Sequence, residues 1–245
     1  GCSDRSNTAI SQLQPGDIDW DHIFKNLGTK WFHTGGIYAG LSEESPKVII
    51  EAMKTAKKYG VAISYDLNYR SSLWSSLGGY EAAQKINQEI VQYVDVLFGN
   101  EEDFTACLGF KIKGVDSKLD YLPENSFKNM ISEVKETYKN LNIIATTLRK
   151  VITANSNDWS AIAWSKKNGF IKSINFPGLD IYDRVGGGDG FASGFIYGII
   201  EGLDLSDAIN LGTAHGALAM TTPGDTSMVS IDEVKNLIKN PSARV

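Results

Sequence analysis

Apolar positions recur along this chain with two periods, and the switch between them marks out the elements. Glu43–Gly60 carries Val48, Ile49, Ala52, Met53 and Ala56 on one face at the 3.6-residue spacing, which predicts an amphipathic helix stopped by Gly60. The same period predicts helices at Tyr80–Tyr93, Glu101–Leu108, Asn125–Leu141, Gly188–Glu201, Ser206–Met220 and Ile231–Lys239. Between them lie short runs rich in β-branched and aromatic residues. Thr29–Tyr38 reads as a strand ending at a Gly-Gly turn, and Val61–Asn68, Val94–Asn100 and Asn142–Leu148 read as strands. Shorter strand-like pieces fall at Val151–Ala154, Ser160–Trp164 and Phe170–Ile174, and a polar insert at Lys111–Pro123. Strands alternating with helices imply βαβ units and a mainly parallel sheet in a single α/β domain over residues 1–245.

Composition narrows the classes of function. A net charge of -5 and the lack of a Lys/Arg run leave no electrostatic footprint for nucleic acid. No apolar stretch reaches the roughly 20 residues of a membrane span, and the first residues do not read as a signal peptide. Two cysteines, Cys2 and Cys107, make no disulfide framework in a chain of 245 residues, so a reducing cytoplasm is expected. His22, His33 and His215 stand alone, without ligand spacing, so no protein-held metal is expected.

In open α/β sheets ligands bind beyond the carboxyl ends of the strands. Asp66, Asn68 and Arg70 follow one expected strand, Asn100, Glu101, Glu102 and Asp103 the next, and Thr147 and Arg149 a third. Each group taken singly reads as solvated loop or helix cap; three at one sheet edge suggest a shared cleft. Asp183–Gly194, DRVGGGDGFASG, adds bare backbone beside a carboxylate. Gly186, Gly187 and Gly188 open an apolar helix, where successive N–H groups and the helix dipole favour an anion. A carboxylate at an anion site repels the anion, unless Asp189 works as a base toward a hydroxyl while the amides stabilise a phosphoryl group in transfer. The alternative is a flexible glycine-rich loop with Asp189 as helix N-cap. The spacing excludes a Walker loop, a G-x-G-x-x-G fingerprint and a G-x-S-x-G elbow.

Asp183, Gly186, Gly187, Gly188, Asp189, Ser193 and Gly194 resemble the C-terminal signature of the ribokinase-like (PfkB-type) sugar kinases. DRSNTAIS (Asp4–Ser11), YDLNYRSSLW (Tyr65–Trp74), LFGNEEDF (Leu97–Phe104) and AHGALAMTTPGDTSM (Ala214–Met228) extend the resemblance over nearly the whole chain, toward the family's sugar-acid kinases. The resemblance implies a three-layer α/β/α fold and ATP- and Mg2+-dependent phosphorylation of the 6-hydroxyl of 2-keto-3-deoxygluconate. It implies that Asp189 is the catalytic base and Gly186–Gly188 the anion hole, and that Arg5, Arg70 and Asp225 meet the substrate. Asn68, Arg70, Asn100, Thr147 and Arg149 would lie along the nucleotide phosphates.

Some positions depart from the family pattern. The Asn-x-x-Glu motif that serves magnesium through water ends here in Asp103, leaving Glu101, Glu102 and Asp103 as candidates. Arg184 stands where a small or β-branched residue is usual, and Ser3 where a tyrosine is. Such kinases begin with a βαβ unit, a glycine-pair motif and a small β lid. Residues 1–11 resemble the exit from that lid, so the chain is expected to be a piece of a longer protein. Homo-oligomers are common in the family. Alternatives within and outside the fold are a kinase of fructose, ribose or another neutral sugar, and a non-catalytic sugar- or nucleotide-binding relative. Two arginines aimed at one substrate favour a carboxylate.

Overall fold

The computed structural model describes residues 7–110, 124–153, 155–224 and 226–241. They form two compact units, one of residues 1–112 and 129–143, the other of 113–128 and 144–245. Arg5, Asp225 and the insert at Lys111–Pro123 lie outside the described residues.

The first unit is built from parallel strands and the helices that connect them. β1 (Trp31–Gly35), a single-turn α1 (Gly36–Ala39), α2 (Ser45–Lys58), β2 (Ala62–Asp66), a short α3 (Ser71–Trp74), α4 (Gly79–Val91), β3 (Val96–Phe98) and α5 (Glu101–Leu108) follow in order. β2 pairs in parallel with β1 on one side and with β3 on the other. Val48, Ile49, Ala52, Met53 and Ala56 are buried as their spacing requires, and Ile63, Tyr65 and Leu97 of the strands are fully inaccessible. A buried polar pair here is satisfied: Tyr65 Oη donates to Asn87 Oδ1 at 2.7 Å, and Asn87 Nδ2 donates to Ala83 O at 2.8 Å. A buried hydroxyl would otherwise cost more than its bond returns.

α6 (Glu124–Thr137) and β4 (Ile143–Thr153) carry the chain between the units, and the second unit continues with β5 (Ser156–Ser165), β6 (Gly169–Lys172), β7 (Phe176–Asp180), α7 (Gly187–Ile200), α8 (Leu205–Met220) and α9 (Ile231–Lys239). β5 pairs antiparallel with β6 and with β7. The three residues between β5 and β6 are too few for a parallel crossover. Two expectations change. β4 does not stop at Leu148 but runs on through Val151 and Ile152, whose β-branched side chains suit an extended backbone. Thr147 and Arg149 therefore lie within a strand and not in a loop beyond one. β7 was not foreseen, because Pro177 and Gly178 argue locally against a strand; pairing of Leu179 with Asn157 decides it.

α7 and α8 pack almost backbone to backbone. A Cβ added at Gly194 would lie 2.8 Å from Leu211 O, one at Gly198 2.8 Å from Ala208 Cα, one at Gly212 2.7 Å from Phe191 O, and one at Gly216 2.7 Å from Gly187 O. These glycines recur every four residues, so each helix offers the other a smooth stripe. Around the seam Phe191, Phe195, Ile209, Leu211 and Leu218 are buried, and Trp159 of β5 docks on α8 with Nε1 donating to Thr213 O at 3.0 Å. No helix among the described residues is long and apolar enough to cross a membrane.

Gly212→Ala tests the seam. Alanine gains about 1 kcal/mol of helix propensity, but overpacking against Phe191 O costs about 1–3 kcal/mol, so the urea midpoint does not rise and falls by the equivalent of up to about 2 kcal/mol. Gly188→Ala, where an added Cβ meets no atom within 4 Å, leaves the midpoint unchanged or raises it. A Gly212→Ala midpoint above that of wild type would exclude a tight helix pair.

Candidate active site

The ends of β2 and β3 in the first unit carry two of the three polar groups singled out above. At the end of β1 the backbone passes so close to the next strand that a Cβ on Gly36 would lie 2.0 Å from Leu67 O, and one on Gly35 2.9 Å from Asp66 O. Beyond β2, Asn68 takes a positive φ of 31°, which asparagine tolerates better than most residues. Non-glycine backbone in that region concentrates at functional sites. Tyr69 and Arg70 follow; Arg70 is exposed and its Nη1 donates to Tyr69 O at 3.0 Å.

Beyond β3, Asn100 and Asp103 close a capping box on α5. Asn100 Oδ1 accepts from Asp103 N at 3.0 Å, and Asp103 Oδ2 accepts from Asn100 N at 2.9 Å. The other carboxylate oxygen, Oδ1, accepts from Tyr69 N at 2.8 Å and so ties the β2 loop to α5. Both Asp103 oxygens are thus spent on backbone, and the side chain is 5% exposed. Burial raises its pKa, against the two backbone N–H groups and the positive charge of Arg70, which lower it. Glu102 is exposed and Glu101 half-buried, whereas Asp103 is buried.

The second unit holds the glycine-rich stretch. β7 leaves the sheet and its chain is anchored at once: the N–H groups of Tyr182 and Asp183 both donate to Met220 O at the end of α8, at 2.9 and 3.1 Å. Asp183 Oδ1 accepts from Val185 N at 3.0 Å and turns the chain into α7. Gly186 is the N-cap, with φ 83° that a side chain would strain, and offers no side-chain cap. Gly187 is bare for a different reason: a Cβ there would lie 2.8 Å from Met220 Cγ. Gly188 has neither constraint, being exposed with open space around it.

Asp189 is exposed in the first turn of α7, and its carboxylate accepts no hydrogen bond among the described residues. It is therefore not the N-cap. The opening amides of α7 and one free carboxylate share a single turn, where the dipole places positive potential. Thr147 is half-buried and Arg149 exposed on β4. Among the described residues there is no group of three or more His, Cys, Asp or Glu that could hold a metal ion.

The pfkB family carbohydrate kinase model matches residues 29–232. The chain belongs to this family. It is 27% identical over 242 residues to the 2-dehydro-3-deoxygalactonokinase of Haloferax volcanii, covering 99% of this chain and 66% of that protein. To the 5-dehydro-2-deoxygluconokinase of Clostridium perfringens it is 27% identical over 236 residues, covering 96% and 62%. The crystal structure of 2-dehydro-3-deoxygluconokinase from Thermotoga maritima superposes with a TM-score of 0.85 at 35% identity, covering 96% of this chain and 68% of that one. The fold is thus the ribokinase-like α/β fold, with a mostly parallel central sheet. The chain spans less than two thirds of the length of these curated relatives.

The raised pKa of Asp103 makes a signed prediction. Its carboxyl holds its proton more tightly folded than unfolded, so its contribution is most favourable below the ordinary aspartate value of about 3.9 and is lost as pH rises through the folded pKa. The stability of wild type relative to Asp103→Asn should therefore fall between acid and neutral pH. Urea midpoints of both proteins across that range measure it; a relative stability that rises with pH overturns the assignment.

Proposed function

We propose that this chain carries the phosphoryl-transfer site of an ATP- and Mg2+-dependent sugar-acid kinase, acting on the 6-hydroxyl of 2-keto-3-deoxygluconate. The observation that carries the reading is Asp189: a carboxylate with no hydrogen-bond partner among the described residues, in the first turn of a helix whose opening amides favour an anion, next to a glycine with open space around it among the described residues. A base needs a free carboxylate and a phosphate needs bare N–H groups, and here they share one turn.

In this reading the Asp189 carboxylate takes the hydroxyl proton as that oxygen bonds to the γ-phosphorus and the bond to the bridging oxygen breaks, releasing ADP. The N–H groups at Gly186–Gly188 face the charge on the transferred phosphoryl group. Arg70 spans substrate and phosphate, and Arg5 and Asp225 contact the sugar acid. Asn68, Asn100, Thr147 and Arg149 lie along the nucleotide phosphates. Magnesium, which commonly binds through one or two carboxylates together with substrate phosphates, would neutralise phosphate charge beside Asn100, Glu101 and Glu102. The relatives named for dehydro-deoxy-sugar-acid kinases support the substrate class. The proposal places the enzyme in the cytoplasm, in keeping with the buried free thiol of Cys107.

An ADP-release assay of the full-length gene product against sugar acids and fructose tests the class. Asp189→Asn should lower kcat by about 10²–10⁴-fold with KM for ATP little changed; a variant above half the wild-type rate refutes the base. Gly188→Ala should fold as wild type yet lose turnover, since displacing one oxyanion donor costs about 10²–10³-fold. Arg5→Ala should raise KM for 2-keto-3-deoxygluconate by about 10–150-fold, the worth of one charge-assisted hydrogen bond. A wild type that prefers fructose makes the neutral-sugar kinase the better reading.

A further inference from the structure

His215 lies one turn before the end of α8, half-buried, with both ring nitrogens engaged. Nδ1 is 3.0 Å from Ser193 Oγ on α7, and Nε2 is 2.9 Å from Ser227 Oγ in the loop between α8 and α9. Ser193 Oγ donates its one proton to Gly190 O at 3.0 Å. The Ser193 oxygen can then only accept from the imidazole, so Nδ1 carries the ring proton and Nε2 accepts from Ser227. Burial lowers the pKa of His215, partly offset by the Gly190 carbonyl, which agrees with a neutral ring.

The result is a one-way relay, Ser227 to His215 to Ser193 to Gly190, in which each hydroxyl and ring proton is used once. Gly190 directly follows Asp189. It is held at its nitrogen by Gly186 O at 2.7 Å, and a Cβ on it would meet Gly216 Cα and Ala219 Cβ at 3.2 Å. The relay thus ends on a fixed point of the turn that carries Asp189. Its other end reaches the loop that leads from α8 to α9: Thr221 and Thr222 bond back to the last turn of α8, and Ser230 belongs to the cap of α9. Pro223, Gly224 and Met228 between them are exposed.

We propose that His215 is a positioning residue that ties Ser227, and with it the described loop residues 221–224 and 226–230, to the first turns of α7, which carry the proposed base. The proposal rests on the reading of Asp189 as that base and on the substrate contact assigned to Asp225, which the loop's sequence contains. His215 touches no reacting atom in this scheme. Its loss should act on substrate binding more than on turnover.

Hydrogen–deuterium exchange of the substrate-free protein is the first test. Ser227→Ala removes a single hydroxyl from the end of the relay, and His215→Ala removes its centre. In both, exchange in 221–230 should rise by about 2- to 12-fold, the worth of one hydrogen bond, while α7 and α8 keep wild-type protection. Kinetics are the second test. KM for the sugar acid should rise by a similar factor in Ser227→Ala with kcat within twofold, and His215→Gln, which keeps one donor and one acceptor, should recover part of what His215→Ala loses. Unchanged loop exchange in both variants overturns the proposal whether or not the chain is a kinase. A fall in kcat with unchanged KM also overturns it, because His215 would then belong to the chemical step. A wild type that phosphorylates no sugar refutes the proposed function instead, and the exchange arm then reports on the tether alone.

Discussion

The approach of α7 and α8 constrains everything in the second unit that bears on chemistry. Two helices whose glycines meet carbonyls and α-carbons at distances a methyl group cannot occupy have essentially one way to pack. Because Gly216 sits against Gly187 O and Gly187 against Met220, the start of α7 is located by α8 and not by its own loop. The signature chain is then pinned from the other side, by two N–H groups on Met220 O. A helix N-terminus can serve as a rigid anion site only if its amides do not shift when an anion arrives. The glycine seam supplies that rigidity at a point where three successive glycines would otherwise make the backbone loose.

The three glycines before Asp189 illustrate how one motif can satisfy separate constraints. Gly186 answers a positive φ at the N-cap, Gly187 answers the thioether of Met220, and only Gly188 faces open space. The conformational and packing demands of the fold account for two of them. For the third, neither a positive φ nor a neighbouring atom among the described residues excludes a side chain. The same division applies at Asn100 and Asp103, where a pair that reads as a phosphate and magnesium motif is also a capping box joining α5 to the β2 loop. The bond from Tyr69 N to Asp103 ties Tyr69, which stands between Asn68 and Arg70, to the start of α5.

Much of the architecture was legible because it is local. The spacing of Val48, Ile49, Ala52, Met53 and Ala56 foretold α2, and α5 and α9 begin at the expected residues, where capping boxes at Asn100 and Ser230 are written within one turn of sequence. β7 was not legible, since a strand containing Pro177 and Gly178 exists only by virtue of its partner β5. The extension of β4 was missed because Arg149 and Lys150 interrupt its apolar pattern.

For the candidate site, the sequence alone determined the chemistry on offer: an aspartate behind three glycines at the head of an apolar helix, with polar residues after successive strands, a pattern that resembles one family of kinases. Which of those groups are free to act was decided by the tertiary structure. Asp103 is consumed by backbone donors, Asp183 by a turn, and His215 by two serines 22 and 12 residues away in the chain. Asp189 has no such partner among the described residues. The physical reason is that a side chain's chemistry is a property of its type, whereas its availability depends on which donors and acceptors surround it. Those neighbours are brought in by packing between segments whose sequences say nothing about each other.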